Sequence, residues 1–111
     1  MASDKGFVDY VTEQLQGAGS VRAKRMFGEY GLFCDGLFFA VICADRLFIK
    51  PTADARSAFP DLPMATPYEG AKDYILVEDI DDSETLTALA SLTCEALRAE
   101  ERPKRRKHGG I

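Results

Sequence analysis

The run Lys24-Arg25-Met26-Phe27-Gly28-Glu29-Tyr30-Gly31-Leu32-Phe33-Cys34-Asp35-Gly36 constrains this chain more than any other segment. Its aromatic and aliphatic residues end in Asp-Gly, a dipeptide that tolerates positive φ at both centres of a two-residue hairpin turn. Residues 37–44 then run back antiparallel. That register sets Cys34 opposite Leu37, Phe33 opposite Phe38, Leu32 opposite Phe39 and Tyr30 opposite Val41. A slip of one residue would send each of these side chains to the other face, so the pairing is strongly specified. Upstream, residues 21–34 read as one long strand. Glycine inside a strand weakens the ladder and marks a bulge or a close backbone approach, so Gly28 and Gly31 predict a bulge that bends this strand.

The remaining elements follow the same meander. Asp45-Arg46 makes a second short turn, and Leu47-Phe48-Ile49-Lys50 forms a third strand that Pro51 stops. A first helix, capped by Ser3 or Asp4, carries Phe7, Val11 and Leu15 in a stripe widened by Val8, and Gly17 and Gly19 end it. Thr52 caps a short helix reaching Phe59, and Pro60, Pro63 and Pro67 enforce an irregular stretch with an edge piece near Pro67-Tyr68. Asp73 to Val77 is a further strand. A long helix over 83–101, capped by Asp81, Asp82 or Ser83, buries Leu86, Leu89, Leu92, Ala96 and Leu97. The expected fold class is α+β in two layers. An antiparallel meander of four to five strands is covered by the first and last helices, with the short helix between strands 3 and 4. Residues 1–102 form one domain and 103–111 a disordered basic tail.

Composition and charge exclude several function classes. With 46% hydrophobic and 29% charged residues the chain is an ordinary globular protein. No apolar run approaches the ~20 residues that span a membrane, and the amino terminus has no secretory pattern, so no membrane role and a cytoplasmic location are expected. Three cysteines, Cys34, Cys43 and Cys94, show no paired spacing and read as packed thiols. Residues 1–97 carry 16 acidic and 8 basic residues, while 98–111 carry 6 basic and 2 acidic. An acidic body repels a phosphate backbone, so a nucleic-acid contact requires a local patch.

The run Arg25-Met26-Phe27-Gly28-Glu29-Tyr30-Gly31, continued in Asp35-Gly36, Phe39-Ala40 and Leu47-Phe48-Ile49-Lys50, resembles the amino-terminal domain of the TfoX/Sxy family, known from regulators of natural competence. Asp54, Phe59 and Pro67-Tyr68-Glu69 continue the likeness, which spans residues 5–100. The resemblance implies a two-layer fold with a meander sheet akin to secretion-chaperone folds. It also implies a stand-alone form, because full-length competence regulators carry a second, helical carboxy-terminal domain. The family is not known for enzymatic activity, so it supplies no catalytic residues. Glu29 stands where members often have glycine, which suggests a solvent-facing position.

The residues themselves assemble no catalytic site. His108, the single histidine, lies in the tail, so no histidine base can be built on the scaffold. No metal or cofactor site is expected, since the cysteines are scattered and no histidine joins them. The expectation is a non-enzymatic interaction or regulatory module that binds a protein partner, using the motif residues Arg25, Met26, Phe27, Gly28, Tyr30, Gly31, Asp35 and Gly36 for structure or contact. An inward Arg25 would need a carboxylate such as Asp73 or Glu78. One alternative is a nucleic-acid-associated regulator whose tail residues Arg102, Lys104, Arg105, Arg106 and Lys107 contact DNA phosphates. Another is a small-molecule-binding protein or enzyme with a pocket near Arg25, Tyr30 and Tyr74, lined by Tyr30, Tyr68 and Tyr74. A homodimer is a further expectation, because an aromatic edge strand invites pairing.

Overall fold

The computed structural model describes residues 3–101. The chain runs α1 (Lys5–Gln14), a 3-10 turn (Gln16–Ala18), β1 (Val21–Met26), β2 (Glu29–Cys34), β3 (Leu37–Cys43) and β4 (Arg46–Ile49). It continues through α2 (Ala53–Ala58), β5 (Met64–Ala65), β6 (Tyr74–Val77) and α3 (Ser83–Glu101). The strands form one antiparallel sheet in the order β1-β2-β3-β4-β6-β5. The two-layer α+β architecture is the expected one, with six strands.

The added strand arises where one long strand was expected. Phe27 and Gly28 have φ of 51° and 83°, so the chain reverses there in a tight turn, and β1 pairs with β2 from Met26–Glu29 to Val21–Cys34. Gly28 is therefore a turn residue and not a bulge. The bulge lies one hairpin further on. Phe33 pairs with Phe38 but Leu32 pairs with Ala40, which leaves Phe39 as the extra residue and moves Tyr30 opposite Ile42 instead of Val41. Its consequence is packing: Phe39 and Ala40, though consecutive, both enter the same core. The next turn is Ala44-Asp45, not Asp45-Arg46, and the edge strand is Met64–Ala65 and not Pro67-Tyr68.

Helix ends follow their caps. Asp4 accepts the Phe7 N–H at 3.2 Å, and Thr52 accepts the Ala55 N–H at 3.2 Å. Asp82 accepts the Thr85 N–H at 3.2 Å and the Thr85 hydroxyl at 2.7 Å, which start α3. Those bonds, the hydroxyl's first, hold the Asp82 carboxyl below its ordinary range. The buried stripe of α3 is Leu86, Leu89, Ala90, Thr93 and Cys94, while Leu92, Ala96 and Leu97 lie half-buried beside it. All three helices pack on one side of the sheet, where Val8, Val11, Leu15, Ala55 and the α3 stripe meet Leu32, Phe39, Ile42, Leu47, Ile49 and Ile75.

The pairing register reads as rows across the sheet, and successive rows point to opposite sides. Arg25, Tyr30, Ile42, Leu47 and Val77 form one row, and Ala23, Leu32, Ala40, Ile49, Ile75 and Met64 another, both facing the helices. Between them runs Lys24, Gly31, Val41, Phe48 and Leu76, which faces away. No described helix covers that side.

Candidate functional site: the uncovered sheet face

The uncovered face has its own small apolar cluster, Val41, Cys43, Phe48 and Leu76, flanked by Phe38, Ala65 and Tyr74. Side chains of this size shield one another without any covering layer. Phe33 and Phe38 lean together with ring centroids 5.4 Å apart. Lys50 Nζ lies 4.7 Å from the Phe38 ring centre and the Arg46 guanidinium 5.8 Å from that of Phe48.

A groove of about 570 Å³ crosses this face. Its floor is Phe38, Val41 and Cys43, one wall is Met26 and Phe27 at the β1–β2 tip, and the other is Tyr68 and Tyr74. Glu29 and Tyr30 complete the lining. Local backbone explains why the groove is open. A Cβ at Gly31 would collide with Met26 Sδ and press the Phe38 ring at 3.0 Å, so glycine there is the seat on which Met26 lies. Gly31 thus marks a close approach made by the chain's own side chain.

Phe27 is the anomaly of the molecule. It is 93% exposed and occupies the left-handed region, which is unfavourable for a bulky residue. Tyr68 opposite is 55% exposed. Neither residue pays back its exposure in packing within the chain. Backbone in sparsely populated conformations persists when the surroundings impose it, and it concentrates at binding sites.

The polar groups around the groove have assigned partners or ordinary chemistry. Glu29 accepts N–H bonds from Ser3 at 2.8 Å and from Ala44 at 2.9 Å. Partial burial alone would raise its carboxyl, but the donated N–H bonds from Ala44 and Ser3 outweigh it and hold the group below the usual glutamate range. Asp45 completes the same lock: its N–H donates to Ser3 Oγ at 2.9 Å, and its carboxylate accepts the Asp4 N–H at 2.8 Å. Burial, with Tyr68 and Cys43 as lesser causes, pushes the Tyr74 phenol up, so it stays an O–H donor.

Neither Cys43 nor Cys94 is an activated nucleophile. Burial and then the Glu29 carboxylate push the Cys43 thiol up, and burial followed by the Cys34 thiol pushes Cys94 up to about 12. Cys34, Cys43 and Cys94 are all free and buried. Among the described residues no group of three His, Cys, Asp or Glu side chains is placed to hold a metal ion.

The sequence motif divides between the two sides of the sheet. Arg25 is exposed and stacks on Tyr30, its guanidinium 5.1 Å from the ring centre, with no carboxylate within ion-pair reach among the described residues. An inward charge pair with Asp73 or Glu78 is therefore absent; those residues lie beside β6, four strands away. Asp35 is structural: it accepts the Ser20 N–H at 3.1 Å, pairs with Arg98 at 3.7 Å, and with Gly36 forms the β2–β3 turn. Tyr30 and Tyr74 do share a groove, but Arg25 lines a separate cleft against α1. Tyr68 joins Tyr30 and Tyr74 in this groove, as the sequence suggests, while Phe38, Val41, Cys43 and Met26's role as wall are not evident from sequence. The alternation along 37–43 carried the signal, which the bulge at Phe39 obscured. Arg102, Lys104, Arg105, Arg106 and Lys107 lie outside the described residues.

Fold and site define a two-layer α+β domain with a meander sheet, one side covered and the other bearing an aromatic groove. The TfoX N-terminal domain model matches residues 13–97, and the chain belongs to that family. A similar protein of Spirochaeta aurantia, described as an uncharacterised 12.7 kDa protein in the trpE 5′ region, is 36% identical over 108 residues. That match covers 96% of this chain and 91% of the relative. The family is generally non-enzymatic, and membership supports a regulatory, competence-related module. Among the described residues no helix is long and apolar enough to cross a membrane.

Proposed function

We propose that this chain is a non-enzymatic regulatory module that docks a partner protein on its uncovered sheet face, with Phe27 as the anchor. The observation that carries this reading is Phe27 itself, a large apolar side chain in a left-handed turn, exposed beside an aromatic groove. Interfaces draw their energy from a few aromatic anchors beside pockets, ringed by near-neutral contacts. Exposed apolar groups of this size next to a concave apolar surface mark interaction sites.

The test is a selection from a phage-displayed library of random linear peptides, with the intact chain as bait. The same library is screened against a Phe27→Ser, Tyr68→Ser double variant whose thermal midpoint is measured in parallel. Peptides should enrich on the natural chain and vanish on the double variant, with folding intact. Enrichment that is absent, or indifferent to the two substitutions, would overturn the docking role.

A further inference from the structure

The charges of this protein are sorted by layer. The strands, with Lys50 just beyond β4, carry five basic residues, Arg22, Lys24, Arg25, Arg46 and Lys50, against the single acid Glu29. Helices α1 and α3 carry six acidic and two basic residues, and four more acids occupy 78–82. That acidic segment lies against α1: the Gln14 amide donates to the Ile80 carbonyl at 3.0 Å, and the Tyr10 hydroxyl donates to Asp81. An acidic chain therefore presents a basic sheet.

Four of the five cations belong to the uncovered side. Lys24 shares the row of Val41 and Phe48, Arg22 shares that of Phe33 and Phe38, and Arg46 and Lys50 lie over Phe48 and Phe38. Among the described residues none of the four lies within 4.0 Å of a carboxylate; the ion pairs there are Lys5–Asp9 and Arg98–Asp35. Glu29, the acid in the groove, is already committed to two N–H donors. Glu69, Lys72 and Asp73 flank the Tyr68–Tyr74 wall in sequence and balance to one negative charge. Solvent ions screen charges beyond about 8 Å, which weakens the reach of the helix-layer acids through to this face.

From this arrangement we infer that the uncovered face takes an acidic linear segment of a partner protein. An apolar side chain of that segment fills the groove between Phe27 and Tyr68, and its carboxylates meet Arg22, Lys24, Arg46 and Lys50. The inference rests on the docking role proposed above and specifies the chemistry of what docks. An extended segment projects alternate side chains to one side about every 7 Å, which suits an anchor with carboxylates on either side of it. Complementary charge of this kind raises the association rate and excludes wrong partners more than it adds raw affinity.

A single-stranded nucleic acid would also favour cations among aromatics, stacking its bases on open rings. Here the central rings, Phe38 and Phe48, already carry Lys50 and Arg46 over them, and Phe48 is buried. The exposed rings of this face, Phe27 and Tyr68, stand on opposite walls of the groove and form no run of adjacent platforms for successive bases. The peptide is the better fit.

The experiment pans the same random-peptide library against the intact chain and against a Lys24→Glu, Lys50→Glu variant, both checked by circular dichroism and thermal melting. Fluorescein-labelled copies of the enriched peptides, and labelled oligothymidylate, are then titrated by anisotropy. The expected result is peptides with Asp or Glu around an aromatic or aliphatic residue. Asn/Gln twins and the charge-reversed chain should each weaken binding by about tenfold or more, and added salt should weaken it further. Peptides that need Phe27 but ignore both charge changes would overturn this inference and leave the docking role standing. Loss of all Phe27-dependent peptides would overturn both. Oligothymidylate that displaces the peptides and binds at least as tightly would assign the face to nucleic acid instead.

Discussion

Phe38 and Phe39 are consecutive, identical and opposite in fate. Phe39 is the extra residue of the bulge and lies fully buried under the helices; Phe38 turns to the uncovered side, half-buried beneath Lys50. The same contrast holds through the central strands β2, β3, β4 and β6. From β2 to β6 the rows facing the helices are mostly buried aliphatics, while the opposite rows place aromatics and cations among their aliphatic residues. The covered side holds the fold together, and the docking role proposed above falls to the open side. Binding residues disturb stability least when their packing partners lie outside the chain.

The sharpest way to break this contrast is truncation of the two phenylalanines. Phe39→Ala should cost about 3–5 kcal/mol, most of the stability of a small domain, because the cavity cannot refill from solvent. Phe38→Ala should cost about 1–2 kcal/mol, since part of its surface is already wet. Urea midpoints check both, and equal losses would mean that the two faces contribute alike.

Next in size is Gly28→Val. A Cβ there meets nothing within 4 Å, so any loss is conformational, not steric. A branched residue at φ of 83° should cost about 1–3 kcal/mol. An unchanged melting curve would mean that the tip adjusts freely and that Phe27 is not held in place by its turn.

Thr93 sharpens the comparison from the covered side. Its hydroxyl is buried with no hydrogen-bond partner, a polar atom in an apolar seam. Thr93→Val should stabilise by about 1 kcal/mol, raising the thermal midpoint by about 4–8 °C.

Glu29 tests how far the open side depends on protonation. Its folded-state carboxyl lies below the unfolded value of about 4.3, so its contribution is complete above that pH. That contribution disappears as pH falls through the lowered folded value. Glu29→Gln should flatten the acid limb of stability against pH while costing under about 1 kcal/mol at neutrality, given the group's partial exposure. Smallest of all is Phe27→Ser, which should shift stability by no more than about 0.5 kcal/mol while removing peptide binding. A large loss of stability would make Phe27 a packing residue after all.

Much of this was legible in the chain. Asp35-Gly36 announced its hairpin because both residues suit positive φ, and Thr52 and Asp82 announced their helices through caps. The β1–β2 turn did not announce itself, since Phe-Gly puts a bulky residue where Asn or Asp is usual. Met26 lying over Gly31 is a contact between paired strands that spacing within one strand does not reveal. The groove was hidden for the same reason: its walls come from residues 26–27 and 68–74, joined only once four strands intervene. Thr93 was hidden by helical periodicity, which places a residue on the inner side without counting its hydrogen bonds.

The two-residue turns also bear on the order in which the molecule assembles. Four strands, β1 to β4, are complete by residue 49, and the three pairings among them each join sequence neighbours, the kind of hairpin that forms in about 1–10 μs. The residues of α3 that seal one side begin at 83. During synthesis the nascent sheet therefore emerges with α1 as the only long helix available to its inner side, and the chain must be finished before α3 seals that side as a core and leaves the other as a surface. Peptide sequences that fit the Phe27 groove would meet a second apolar surface on an unfinished chain, so selectivity arises with the docking of the last helix.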